Sequence, residues 1–418
     1  MARRPRRRQT RRTATAAIAD ALSGSCAAVL ADHLRRLREL PSHPNRLLHY
    51  DDVFVALLLG FYDPAVRSLR TLDGRSVAEP HFKEQLGIDR VARSTLSDAL
   101  RSMSAEQLLP IVRQLHARLP GLAHADGDLA ALLKRIIALD GSVFTVPADV
   151  LWAVATTRSN GNPGRQIRLN LALDVVRFVP ESLSISGDDG LSEGSSFIRH
   201  LEAGVIYLAD RNFVDFPFMH AVLDVQSDFV VRGKIDKPKF IVTQETAITD
   251  EDRSAAVTSD RLGTIPGSAG SPGFGDRPFR EVTVLDPRSG KPVRLLTTLL
   301  CGELRSDRDV PAHVIGKLYR HRWMIELFFR WLKCVAKVEH LMSTDANGIT
   351  MQLYVGVIAV LLMYLRSGRR PGTLSYSMLQ IIARGTADLS RVPEVLERHE
   401  RERELERARL AREKKLKV

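Results

Sequence analysis

Cysteine is scarce: the 418-residue chain has three. Cys26, Cys301 and Cys334 lie far apart and form no CxxC pair, which excludes a disulfide framework and a cysteine-based zinc site and fits a reducing cytosol. A secretory signal is not expected, because the arginine-rich start has no apolar run beside it. The most apolar stretch, residues 354–365, is too short to span a bilayer comfortably and reads as a buried core helix, so no membrane partner is expected. No internal repeat is evident. Acidic residues are in deficit, 49 Asp and Glu against 61 Lys and Arg, for a net charge of +12. That balance favours a polyanionic partner, most simply nucleic acid, although membrane-surface and ribosomal proteins are basic too.

What the chain does have is concentrated between Tyr319 and Lys333. Tyr319, Arg322, Glu326 and Lys333 follow the spacing Y-x2-R-x3-E-x6-K. At roughly 100° per helical residue they fall within a stripe about 60° wide. The opposite side is apolar, with Ile325, Phe328, Leu332 and Val335 clustered there. One helix over this segment would anchor itself by that face and offer a carboxylate flanked by cations on the other. Mixed charge on a solvated helix face produces the same pattern.

Two further segments bear on the choice. Residues 135–142 read as a short buried strand carrying Asp140, followed by Gly141. Residues 204–213 again deliver an aspartate, Asp210, at the end of an apolar run. A carboxylate at the tip of a buried strand is costly unless something neutralises it. The alternatives are a turn at Asp140-Gly141 and a helix cap at Asp210.

Together these segments resemble the catalytic motifs of DDE transposases from bacterial insertion sequences, and the Tyr-Arg-Glu-Lys spacing is similar to that of the insertion-sequence-four family. Residues 338–342 and the apolar helix from Tyr354 also look like that family's C-terminal block, so the resemblance covers roughly residues 130–365. One departure is Asn212, where members often have glycine; asparagine tolerates left-handed backbone. The resemblance implies an α/β ribonuclease-H-like catalytic domain with a β-rich insertion, preceded by an all-α N-terminal domain. It implies Asp140, Asp210 and Glu326 as catalytic metal ligands for two Mg²⁺ ions, with Mn²⁺ as a substitute. Three carboxylates gathered without metal would repel, so at least one pKa should rise. Arg322 would fork a phosphate, Lys333 would meet the DNA backbone, and Tyr319 would donate to a phosphate or stack near a base. Arg211 and Arg330 are weaker phosphate candidates, and Trp323 and Trp331 should pack along the helix flanks. The implied partners are transposon-end and target DNA, with a homodimer assembled on them. The implied setting is the bacterial cytoplasm, at the nucleoid. Competing readings are a nuclease of the same fold that cuts without joining, and a non-catalytic DNA-binding repressor.

The organisation expected along the chain is as follows. Residues 1–13, with seven arginines in the first twelve, form a basic disordered arm. Residues 14–125 form a helical DNA-binding domain. Within it, residues 87–101 resemble the second half of a helix-turn-helix, with Ser94 as cap and Arg93, Ser97 and Arg101 as contacts. Residues 130–227 begin the catalytic domain and include an exposed Gly/Ser/acidic loop at 184–196. Residues 228–305 form the β insertion, residues 306–366 complete the catalytic domain with the glutamate helix, and residues 367–418 form a charged helical tail.

Overall fold

The computed structural model describes residues 25–41, 48–62, 66–78, 90–119, 135–157, 161, 163–187, 192–234, 237–267, 272–287, 289–300, 310–334 and 341–367, with isolated positions between 398 and 409. The arginine-rich arm, Gly87 to Asp89, Val335 and most of the charged tail lie outside the described residues. The chain divides into two compact units, residues 120–330 and residues 1–119 with 331–418.

The helical unit contains α1 (Ser25–Arg38), α2 (Tyr50–Tyr62), α3 (Leu69–Ala78), α4 (Arg93–Ser102), a 3₁₀ turn (Ala105–Leu108) and α5 (Leu109–Arg118). The long apolar helix over Ala346–Ser367 packs among them, against α1, α2, α4 and α5. The expected segment 306–366 counted this helix with the catalytic domain; in the fold it packs within the helical unit. From Leu353 through Leu362 its residues are apolar on every face, so that part must be buried on all sides. A sheet covers only one side of a helix, whereas a ring of helices covers all of them. Asp345 caps its start, accepting from the amides of Asn347 (2.9 Å) and Gly348 (3.3 Å). Asn347 then ties it to its neighbours: Oδ1 accepts from Ala105 N, and Nδ2 donates to the carbonyls of Leu100 and Met103. No described helix is long and apolar enough to cross a membrane.

The other unit is built on a ten-stranded mixed sheet. Its strands are β1 (Ile136–Val146), β2 (Val154–Thr157), β3 (Pro163–Asp174), β4 (Val179–Ser186), β5 (Ile206–Ala209), β6 (Asp228–Arg232), β7 (Ile241–Glu245), β8 (Val257–Thr264), β9 (Phe279–Leu285) and β10 (Pro292–Thr297). β4 and β3 are antiparallel, β3 and β1 are antiparallel, and β1, β5 and β6 run parallel. The order β4-β3-β1-β5-β6 with those directions fits a ribonuclease-H-like core. β6 opens the stretch assigned to the insertion, yet it pairs in parallel with β5. It is buried on both sides, as a central parallel strand must be. The added strands β10, β9, β8 and β7 continue the sheet antiparallel from β6. β8 is hard to see in sequence because it carries Asp260, which is buried and paired with the buried Arg280 of β9 at 2.8 Å.

Alternation puts Ile137, Leu139, Tyr207, Ala209, Phe229 and Val231 on one face, where they form a core with Phe218, Met219 and Val222 of α6 (Phe216–Asp224). Beyond a short capped turn, α7 (Asp250–Ser254), the chain returns as α8 (Ala312–Arg320), which packs on β6, β8 and β9. Gly316 permits the close approach, since a Cβ there would stand 3.1 Å from Val284 Cγ1. α9 (Trp323–Cys334) follows, and α10 is the apolar helix Ala346–Ser367.

Candidate active site

Two aspartates are placed by strand pairing alone. Leu139 of β1 pairs in parallel with Ala209 of β5, so the next residue on each strand is Asp140 and Asp210. Neighbouring strands lie about 4.8 Å apart, and alternation turns both carboxylates to the face opposite the α6 core. Asp140-Gly141 is not a turn, because β1 runs on to Val146. Asp210 does act as a cap: its Oδ1 accepts from Asn212 N at 2.8 Å at the start of a 3₁₀ turn, Arg211–Phe213. Asn212 is not among the residues with positive φ, so the expected left-handed geometry is not used.

The segment from Tyr319 onward is two helices rather than one. His321, Arg322, Met324 and Ile325 each donate their amide three residues back instead of four, at 2.9–3.1 Å. This tight stretch separates α8, which carries Tyr319, from α9, which carries Glu326. Neither proline nor glycine marks it. Arg322, at the break, still reaches Glu326 Oε1 with Nη2, and its Nη1 lies 3.7 Å from Asp140 Oδ2. Its guanidinium carbon sits 5.8 Å from the Tyr319 ring centre. Its Nε is buried with no hydrogen-bond partner.

The electrostatics follow from this gathering. Burial pushes Asp140 up; Arg322 pulls it back, while Glu193 and Asp210 push it further, and the result is about 7. Burial raises Glu193 too, and Asp210 adds to it. Burial opposes the charge on Arg322, but Tyr319, Glu326 and Asp140 outweigh it and hold the guanidinium above its ordinary value. Burial raises the Tyr319 hydroxyl against the pull of Arg322 and Arg232.

Asp140, Asp210, Arg322, Glu326 and Tyr319 are thus brought together. Lys333 lies in the last turn of α9, half-buried. Arg211 and Arg330 are exposed; Arg330 stacks on Trp323, which is 39% exposed and not packed as expected. In the helical unit, Arg93 and Arg101 of α4 are exposed and Ser97 is half-buried. Ser94 does not cap α4. The cap position is Ala92, and the carboxylate of Asp73 on α3 accepts from Arg93 N at 3.2 Å while pairing with Arg90.

Two residues escaped the sequence reading. Arg232 follows Val231, which pairs with Ala209, so it stands beside Asp210 on the next strand. Glu193 belongs to the stretch expected to be an exposed loop. Instead Ser186 and Ser196 are buried and Glu193 is half-buried, with Asn212 Nδ2 donating to its Oε2 at 3.3 Å. The only available signal was its glutamate among serines and glycines, which composition assigns to solvent.

The model of the transposase DDE domain matches residues 132–362, more than half of the chain, and the chain belongs to that family. It is 27% identical over 259 residues to a sequence described as transposase y4zB of Sinorhizobium fredii, a match covering 59% of this chain and 68% of that one. It is 30% identical over 106 residues to a transposase of insertion sequence element IS5377 from Geobacillus stearothermophilus, and 30% identical over 93 residues to one of IS4SA from Synechocystis. These cover 25% and 22% of this chain, and 26% and 27% of the relatives. Among solved structures, a piggyBac transposase synaptic complex with hairpin DNA aligns with 91% of this chain and 82% of its own, at 10% identity and a TM-score of 0.41.

The family implies divalent metal use, and the residues present fit it. Asp140, Asp210, Glu193 and Glu326 are hard oxygen donors, and Asp140, raised first by burial and then by Glu193 and Asp210, is a partly buried carboxylate whose charged form a divalent cation would favour. Among the described residues no three of these carboxylates bring ligand atoms within 4.8 Å of one another.

Proposed function

We propose that this chain is the transposase of an insertion sequence of the insertion-sequence-four type, bearing its Tyr-Arg-Glu-Lys signature. It binds the terminal inverted repeats of its element, cleaves at the ends and joins the 3′-hydroxyl ends to target DNA. The observation that carries this reading is the pairing of β1 with β5, which sets Asp140 beside Asp210, together with Arg322 linking Asp140 to Glu326.

Asp140, Asp210 and Glu326 would hold two Mg²⁺ ions, with Mn²⁺ able to substitute. When bound, such ions activate the attacking oxygen and stabilise charge on the leaving one. The protein's own groups supply position. Arg322, half-buried beside Tyr319, presents its terminal nitrogens for a phosphate oxygen. Tyr319 orients them from α8, and Arg232, Arg211, Arg330 and Lys333 add cationic contacts for flanking phosphates. In the helical unit, α4 presents Arg93, Ser97 and Arg101 for recognition of the repeats. Two ends must be held at once, so the working form is a dimer assembled on DNA at the nucleoid.

Incubation with labelled DNA carrying the element's own ends, with Mg²⁺ or with EDTA, tests the reading. Cut and joined products that appear only with Mg²⁺ are expected. Cutting without joining would favour a nuclease. Binding without cleavage would favour a repressor.

A further inference from the structure

Glu193 stands where no solvated loop glutamate needs to be. Its Oε1 lies against the backbone at Gly141, so close that a Cβ there would be 2.5 Å from it. Its Oε2 takes the side-chain amide of Asn212, two residues after Asp210. The carboxylate is therefore wedged between β1, at Gly141 beside Asp140, and the turn that follows Asp210 at the end of β5, and it feels the charge of Asp210 directly.

The backbone that carries it is built for this position. Ser192 Oγ donates to Asp215 Oδ2 at 2.9 Å, Ser195 N donates to Ser192 Oγ at 3.1 Å, and Ser196 Oγ donates to Ser192 O at 3.0 Å. The next residues continue into a 3₁₀ turn, Ser195–His200, whose Phe197 is buried in the core. Holding a third partly buried carboxylate beside two others opposes folding unless a cation offsets it. Arg168 offsets part of the charge.

We infer that Glu193 is a fourth carboxylate of the metal centre, holding a divalent ion together with Asp140 and Asp210. This rests on reading the site as a metal centre. With Glu193 included, four carboxylates rather than three face the two divalent ions before any phosphate arrives. The centre should therefore load in the absence of DNA. The glycine at 141 has its reason here too, since a Cβ would stand 2.5 Å from Glu193 Oε1 and 2.9 Å from Arg168 Cδ.

Mn²⁺ binding to the full-length protein without DNA, followed by electron paramagnetic resonance of the free ion, tests the inference. Glu193→Gln should weaken Mn²⁺ binding roughly tenfold or more. Gly141→Ala should do the same with the Glu193 side chain intact, because its Cβ pushes away both the carboxylate and the neighbouring Arg168 side chain, and the double variant should be no weaker than either single one. Circular dichroism checks that each variant is folded. Asp140→Asn should also lose Mn²⁺. If Glu193→Gln binds within twofold of wild type while Asp140→Asn does not, Glu193 is no ligand and the metal centre stands without it. If Asp140→Asn binds like wild type as well, the metal centre itself is overturned, and Glu193 with it.

Discussion

Arg322 stands 3.7 Å from Asp140 while its other terminal nitrogen bonds Glu326. One guanidinium thus links a strand-borne carboxylate to a helix-borne one, from a tight turn that joins two helices. This places a cation where a phosphate oxygen can meet it and keeps the acidic side chains from repelling freely.

Arg322→Ala should cut cleavage of transposon ends by a hundredfold or more, as removal of a buried donor at a reacting group does. Arg322→Lys should restore only a small part, since an ammonium cannot span both carboxylates. DNA binding, measured by mobility shift, should change by less than tenfold in both. Equal losses of binding and cleavage would make Arg322 a binding residue only.

Asp140 gives a pH dependence with a definite sign. Its folded pKa of about 7 lies above the ordinary value near 3.9, so between these limits the folded state holds the proton more tightly. In EDTA, this group's contribution to stability falls as pH rises from about 4 to about 7 and does not return above that. Asp140→Asn removes the buried charge and should stabilise the metal-free protein by about 2–4 kcal/mol at pH 8, with the gain vanishing near pH 4. Thermal unfolding at the two pH values reads it, and a gain of equal size at both would contradict the assignment.

The added strands are held by ion pairs inside the sheet. Asp260 and Arg280 are both almost fully buried and bond twice at 2.8 Å. Asp260→Ala strands the guanidinium and should cost about 3–5 kcal/mol, whereas Asp260→Leu with Arg280→Met should recover most of it. Differential scanning calorimetry separates the two, and equal losses would show that the pair itself, not the stranded charge, sets the cost.

In the helical unit, Asn347 satisfies three backbone groups at once. Asn347→Ala should destabilise by about 2 kcal/mol. Amide exchange should rise at Ala105 before it rises in β1 or β5.

Part of the candidate site was legible because the end of an apolar run and the i,i+4 offset are strong signals. Asp140 and Asp210 each terminate an apolar run, and the offset between Arg322 and Glu326 brings them together even though the helix breaks between Tyr319 and Trp323. The break itself carries no proline or glycine, so nothing in the sequence announces it. Glu193 was illegible because its burial depends on Asn212 and Gly141, contacts distant in sequence. β8 was hidden by Asp260, whose burial is tolerable only with Arg280 reaching it diagonally from β9. The place of α10 was hidden for a different reason: an all-round apolar helix says that it is buried, not by which elements.

The convergence of remote acidic residues on shared divalent ions is tested most directly by letting Fe²⁺ replace Mg²⁺ in the full-length protein. Hydroxyl radicals are then generated with ascorbate, and backbone scission is mapped by mass spectrometry. Cuts clustered near residues 140, 210 and 326, all suppressed by excess Mg²⁺, are the predicted result. Scission at only one of these, or at sites that Mg²⁺ does not protect, would contradict the account.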